Sequence, residues 1–218
     1  MIFFIIIKKN SQRIKNKNFK ILKKKELWQH LILSLKGQKV FIDTDSDQII
    51  QKCKKLFPWV YPYKREKKFI NLENSKKASP TLLMIKNFLH KYVKNPQEIV
   101  VTTHITSPFL KLNTILKASK KLKSFESVCS VTKDYNFCWI KKNNKLVPVN
   151  FNPKIITKTQ NLNPIIQSNG AFFIFKKKTF LKYNNRIANK NFYYEIKFPE
   201  ALEIDEYEDL ILARKICR

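Results

Sequence analysis

The chain has 218 residues, 44% of them apolar, which is enough for one well-buried core and leaves one or two domains open on length alone. Lys and Arg number 44 against 16 Asp and Glu, a formal charge of +28; the excess is mostly Lys scattered through helices and loops among many Asn and Ile, whereas a dedicated nucleic-acid face would concentrate it. Cys53, Cys129, Cys138 and Cys217 form no C-x-x-C pair and have no nearby His at zinc spacing, which argues against a structural metal and a disulfide framework and for thiols in a reducing compartment.

The chain opens on an apolar run ending in Ile5-Ile6-Ile7, too short for a signal segment or a membrane span, so a cytoplasmic protein is expected. The run reads as a buried strand that empties into a polar, cationic loop from Lys8 to Asn18. In open α/β sheets ligands sit at the carboxyl ends of strands, so this loop is a natural seat for a phosphate-bearing ligand. A helix follows from Glu26, with Leu27, Trp28, Leu31, Ile32 and Leu35 on one face and Gly37 as its stop. Lys39 to Ile42 predicts a second strand running into Asp43-Thr44-Asp45, and the next helix ends at Pro58, with Asp45 read as its cap and Ser46 and Asp47 suiting its start.

Trp59-Val60-Tyr61 predicts a third strand, and the charged stretch 64–77 an exposed loop. Ser79-Pro80 reads as a cap followed by proline at the first helical position. A strand from Glu98 to Thr102 opens into a second polar loop, Thr103 to Phe109; a helix with Leu112, Ile115 and Leu116 and a strand Ser127 to Val131 follow. Residues 137–166 read as an excursion from the sheet that begins with a β-hairpin or an extended arm around 141–145. Ala171 to Phe175 is a strongly apolar strand, 177–183 a short helix, and Ala201 to Asp205 a strand end feeding a last helix over 206–216, whose first turn is acidic. Alternating β and α elements of this kind predict a three-layer α/β/α fold around a mostly parallel sheet, in a single domain spanning 1–218.

Four stretches, in order, resemble the acylneuraminate cytidylyltransferase family, which activates sialic acids and related nonulosonates as CMP-sugars. They are Lys8-Lys9-Asn10-Ser11-Gln12-Arg13 with Lys17-Asn18; Asp43-Thr44-Asp45-Ser46; Thr106-Ser107-Pro108-Phe109; and Asn169-Gly170-Ala171 with Glu203-Ile204-Asp205. Ser130-Val131-Thr132, Thr159 to Leu162 and Asn185-Arg186-Ile187 look closest to the bacterial subgroup of surface-polysaccharide pathways. The chain departs from the family's pattern at Lys8 (arginine in the family), Gln12 (lysine) and Lys76-Lys77 (Asp-Thr).

The resemblance implies the nucleotide-diphosphosugar transferase fold, with 137–166 as a β-rich dimerisation arm of a homodimer. It implies a nucleotidyltransferase that takes CTP and a nonulosonic acid, with Mg²⁺ as cofactor and no membrane or nucleic-acid partner. Lys8, Arg13 and Lys17 are the cations expected to act in catalysis. CTP is expected to meet Lys8, Asn10, Ser11, Arg13, Lys17, Asn18, Asp45 and His104; the sugar Thr106, Ser107, Gln167 and Asn169; and the metal Glu203 and Asp205. A non-catalytic relative that keeps nucleotide binding, suggested by Gln12 and Lys76-Lys77, and a nucleic-acid binder driven by charge are the rival readings.

Overall fold

The computed structural model describes residues 1–75, 79–155 and 157–217. Its elements in chain order are β1 (Ile2–Ile7), β2 (Ile21–Leu22), β3 (Lys25–Glu26), α1 (Leu27–Ser34), β4 (Lys39–Thr44), α2 (Asp47–Leu56), β5 (Val60–Lys64), α3 (Lys67–Asn74) and α4 (Thr81–Tyr92). They continue as β6 (Ile99–Thr103), α5 (Leu112–Ser119), β7 (Ser127–Asp134), β8 (Trp139–Lys142), β9 (Lys145–Pro148), β10 (Ile165–Lys176), α6 (Lys177–Tyr183), β11 (Asn191–Glu195) and α7 (Tyr207–Ile216).

A seven-stranded sheet in the order β11-β7-β10-β6-β1-β4-β5 forms the middle layer. Neighbours pair in parallel except β10, which runs antiparallel to both β6 and β7. The alternation of strand side chains sets the two outer layers. Phe3, Ile5 and Ile7 of β1 join the cluster holding Trp28 of α1, Ile49 of α2 and Ile115 of α5. Ile2 and Phe4 point the other way, to Phe88 of α4 and Phe180 of α6. The central strand is therefore apolar on both faces, as a strand covered by helices on both sides must be. A third, smaller cluster packs Ile14 of the first loop and Ile204 against Leu210 and Ala213 of α7, and so holds the last helix against that loop.

Several boundaries differ from the sequence reading. The stretch 64–75 is not an exposed loop: Arg65 is buried, and α3 runs through Lys67–Asn74 with Phe69 in its underside. Lys76 and Lys77 lie outside the described residues. Pro80 is itself the N-cap of α4, and Ser79 supports it by accepting the Thr81 amide. Residues 201–205 form no strand; the Ile204 amide instead donates to the Thr106 carbonyl at 2.7 Å. The hairpin forms where expected, with Asn143 and Asn144 both at positive φ in its two-residue turn, the backbone that such turns require. No helix among the described residues is long and apolar enough to cross a membrane.

Candidate active site

The loop after β1 turns without glycine, because Asn16 takes a left-handed conformation at φ 55 that asparagine adopts more readily than other side-chain residues. Its neighbours then fold inward. The buried Asn18 side chain donates to the Lys8 carbonyl at 2.6 Å and closes the loop. Lys17 is buried too, and its ammonium donates to the Ile204 carbonyl at 2.8 Å and to Asp205 Oδ1 at 2.9 Å. Across the sheet edge, the Lys9 amide donates to Asp45 Oδ1 at 2.6 Å. Asp45 is therefore not the cap of α2. Ser46 takes that place, accepting the Ile49 amide, and leaves Asp45 to hold the first loop.

Beneath the loops lies a residue that the sequence reading missed. Arg65 donates from Nε to Asp43 Oδ1 at 2.6 Å, from Nη1 to Glu73 Oε2 at 2.7 Å, and from Nη2 to the carbonyls of Ile7 and Asp43. One buried fork thus ties the ends of β1 and β4 to α3, a task suited to the rigid donor geometry of guanidinium. The apolar spacing of Phe69 and Leu72 in the charged run was the available signal for α3.

The result is a cleft of about 530 Å³ at the carboxyl ends of β1, β4 and β6. Lys8, Asn10, Ser11, Arg13, Lys17, Asn18, Asp45, His104, Thr106 and Asp205, ten of the residues expected to form a site, all reach its wall. Its cations are matched by acids. Lys8 pairs with Glu73 at 3.1 Å, and Arg13 reaches Asp205 Oδ2 at 2.7 Å and Glu206 Oε1 at 3.1 Å. Lys8 and Arg13 remain about half exposed, at 52% and 54%, whereas Lys17 is at 11%. The first two can swing to an incoming anion; Lys17 is already committed to holding residues 204–205. Burial works against the Asp205 carboxylate, but hydrogen bonds and charge from Lys17 and Arg13 hold it below the usual carboxylate range.

The sugar and metal assignments divide. Glu203 Oε1 accepts the Thr106 hydroxyl at 2.9 Å and lies 3.5 Å from His104 Nδ1. Gly170 makes this approach possible: it sits at φ +69 in the irregular stretch of β10, and a Cβ there would come within 3.3 Å of His104 Nδ1 and 3.6 Å of Glu203 Oε2. The Ser107 side chain is buried beneath its turn, and Asn169 accepts the Ser130 hydroxyl at 2.6 Å. Gln167 is exposed on β10 beside Thr132 of β7. These three are not brought to the cleft wall, and neither is Glu203, which stands behind His104 and Thr106 while Asp205 reaches the wall. Among the described residues no group of three or more His, Cys, Asp and Glu is placed to hold a metal ion. A carboxylate pair is nevertheless a donor set that Mg²⁺ accepts when substrate phosphates complete its octahedron.

Fold and cleft together define an α/β protein of the nucleotidyltransferase fold, with a cation-bearing cleft at the strand ends. Solved structures share that architecture. The 4-diphosphocytidyl-2C-methyl-D-erythritol synthase of Anaerococcus prevotii superposes with a TM-score of 0.65 at 16% identity, covering 99% of this chain and 95% of that one. A CMP:2-keto-3-deoxy-manno-octonic acid synthetase complexed with CTP gives 0.64 at 13% identity, covering 99% and 97%.

The chain belongs to the cytidylyltransferase family, whose model matches residues 2–218. N-acylneuraminate cytidylyltransferase A of Danio rerio is 26% identical over 212 residues, covering 92% of this chain. The chain spans about half of that relative's length, 47%.

Proposed function

We propose that this chain is a CMP-sugar synthetase that transfers CMP from CTP to the anomeric hydroxyl of a nonulosonic acid. The observation that carries the reading is the convergence of the first loop, Asp45, His104, Thr106 and Asp205 on one cleft. In the reaction the anomeric oxygen bonds to the α-phosphorus, the bond from that phosphorus to the β-phosphate bridging oxygen breaks, and pyrophosphate leaves. The hydroxyl proton passes to water.

The free cleft already holds each mobile cation against an acid, so a triphosphate enters by partner exchange. Lys8 leaves Glu73 and Arg13 leaves Glu206 for phosphate oxygens, where charge-assisted bonds are strongest. Lys17 keeps the 204–205 segment in place, and Asn18 keeps the Lys8 carbonyl turned inward. Asn10 and Ser11 supply neutral donors for the nucleotide along the same wall, with His104 beside them, and Thr106 is assigned to the sugar. Asp205 and Glu203 would hold Mg²⁺, which offsets charge building on the phosphate oxygens.

The arm supports a homodimer. Within one chain Trp139, Ile140, Leu146 and Val149 lie exposed, Leu146 at 66%. Yet the arm is ordered from within, since the Asn150 side chain accepts the Cys138 amide and donates to the carbonyls of Asn136 and Asn163. A preformed apolar surface of this kind suits a second copy of the chain.

The test is pyrophosphate release from CTP with a panel of nonulosonic acids and the keto-deoxy-octulosonate. Release is expected only when an acid and Mg²⁺ are both present. Release from no acid in the panel would sink the reading.

A further inference from the structure

Beside the main cleft, and sharing Ile6, Lys8 and His104 with it, lies a chamber of about 160 Å³ between the ends of β1 and β6 and the start of α4. Arg186 and Thr102 close its inner side. The Arg186 guanidinium lies 3.6 Å over the Phe173 ring, and its Nη1 is buried with no hydrogen-bond partner among the described residues. Thr102 Oγ1 is buried and has no partner among the described residues either. Burial pulls Arg186 down to about 10, so it is still a cation at neutral pH. The thiol facing it, Cys129, is itself raised by burial and stays neutral, so it supplies no counter-charge.

A buried polar group left without a partner is destabilising, and a charged one more so. Two such groups on one chamber that opens into a substrate cleft need a common reason. Water can satisfy an N–H and a hydroxyl, but it does not neutralise a guanidinium. The loop carrying Arg186 is also pinned on either side: Lys86 donates to Asn184 Oδ1 at 3.1 Å, and the Ala188 amide donates to Ser127 Oγ at 2.8 Å. The cation is therefore held in place in advance, as a binding group should be.

We propose that Arg186 is a substrate-binding residue, which receives in this chamber an anionic oxygen of a substrate: a carboxylate oxygen of the sugar acid or a phosphate oxygen of the nucleotide. Thr102 donates to the same group. The assignment rests on the synthetase reading above and deepens it.

The experiment is direct titration of CTP, and of N-acetylneuraminate in the presence of CTP without Mg²⁺, into wild type, Arg186→Gln and Thr102→Val. Arg186→Gln is expected to weaken one ligand by about 10- to 100-fold, the loss of one charge-assisted bond. Thr102→Val weakens the same ligand by a smaller factor, and Arg186→Lys recovers part of the loss. Weakening of the acid alone assigns the carboxylate, and weakening of CTP alone assigns a phosphate. If both ligands bind Arg186→Gln within about twofold of wild type, Arg186 is a packing residue and the proposal falls while the synthetase reading stands. If Arg186→Gln does not fold, Thr102→Val decides: unchanged affinity for both ligands overturns the proposal. Wild type that binds neither ligand removes the synthetase reading itself.

Discussion

The cleft and the arm are built on opposite plans. At the cleft almost every functional side chain is already engaged within the chain: Lys17 with Asp205, Arg13 with Asp205 and Glu206, Lys8 with Glu73, Arg65 with Asp43 and Glu73. The arm is shaped from within but leaves Trp139, Ile140, Leu146 and Val147 uncovered. The difference teaches where energy is stored. Substitutions of the buried cleft groups should cost stability and binding together, because they strand buried charges, whereas the half-exposed Lys8 and Arg13 should cost mainly binding. Arm substitutions should leave the folded chain nearly unchanged and alter only its association.

The largest effect belongs to Arg65. Arg65→Met strands the buried Asp43 carboxylate and leaves Glu73 only its contact with Lys8, and should destabilise by about 3–5 kcal/mol in denaturant titrations. A loss under 1 kcal/mol would mean that the fork beneath the cleft is not what holds it. Next comes Arg13. Arg13→Ala should lower turnover by about 10²–10³-fold, with a small change in melting temperature because Arg13 is half exposed.

Gly170→Ala is smaller still. It places a side chain at positive φ and pushes on His104, and should cost about 1–2 kcal/mol. On the proposed assignment of His104 to CTP and Thr106 to the sugar, turnover and CTP affinity should both fall. In the arm, Ile140→Asp should change the stability of the isolated chain by under about 0.5 kcal/mol while shifting sedimentation from dimer to monomer; a destabilised monomer would erase the contrast drawn above. Acid sensitivity is the smallest term. Asp205 is depressed in the folded chain, so the stability it contributes is present above its unfolded value, about 3.9, and is lost as pH falls through the lower folded value. Asp205→Asn should therefore flatten the acid limb of the melting-temperature profile.

Much of this contrast could be read before any coordinates. Strand and helix periodicity placed the βα units, and the stretches at 8–18, 43–46 and 106–109 marked the strand ends where the cleft forms, with Asp205 of the fourth stretch reaching the same wall. What escaped depends on long-range pairing. Arg65 sits in a run of Lys and Glu that looks solvated, and only the approach of Asp43 and Glu73 reveals a buried cation. Asp45 resembled a cap because its neighbour Ser46 is one, and nothing local announces the Lys9 amide 36 residues away. Residues 201–205 looked like a strand, but their hydrogen bond goes to the Thr106 loop and not to a neighbouring strand. The solitude of Arg186 is likewise a property of what surrounds it.

The central claim is that the cations of the first loop receive the triphosphate of CTP. Calorimetric titration of CTP into wild type and the Lys8→Ala/Arg13→Ala double variant tests it most directly. The account predicts saturable binding to wild type that the double variant loses by about 100-fold or more, as removal of two charge-assisted contacts requires. Equal affinity in the two proteins would contradict it.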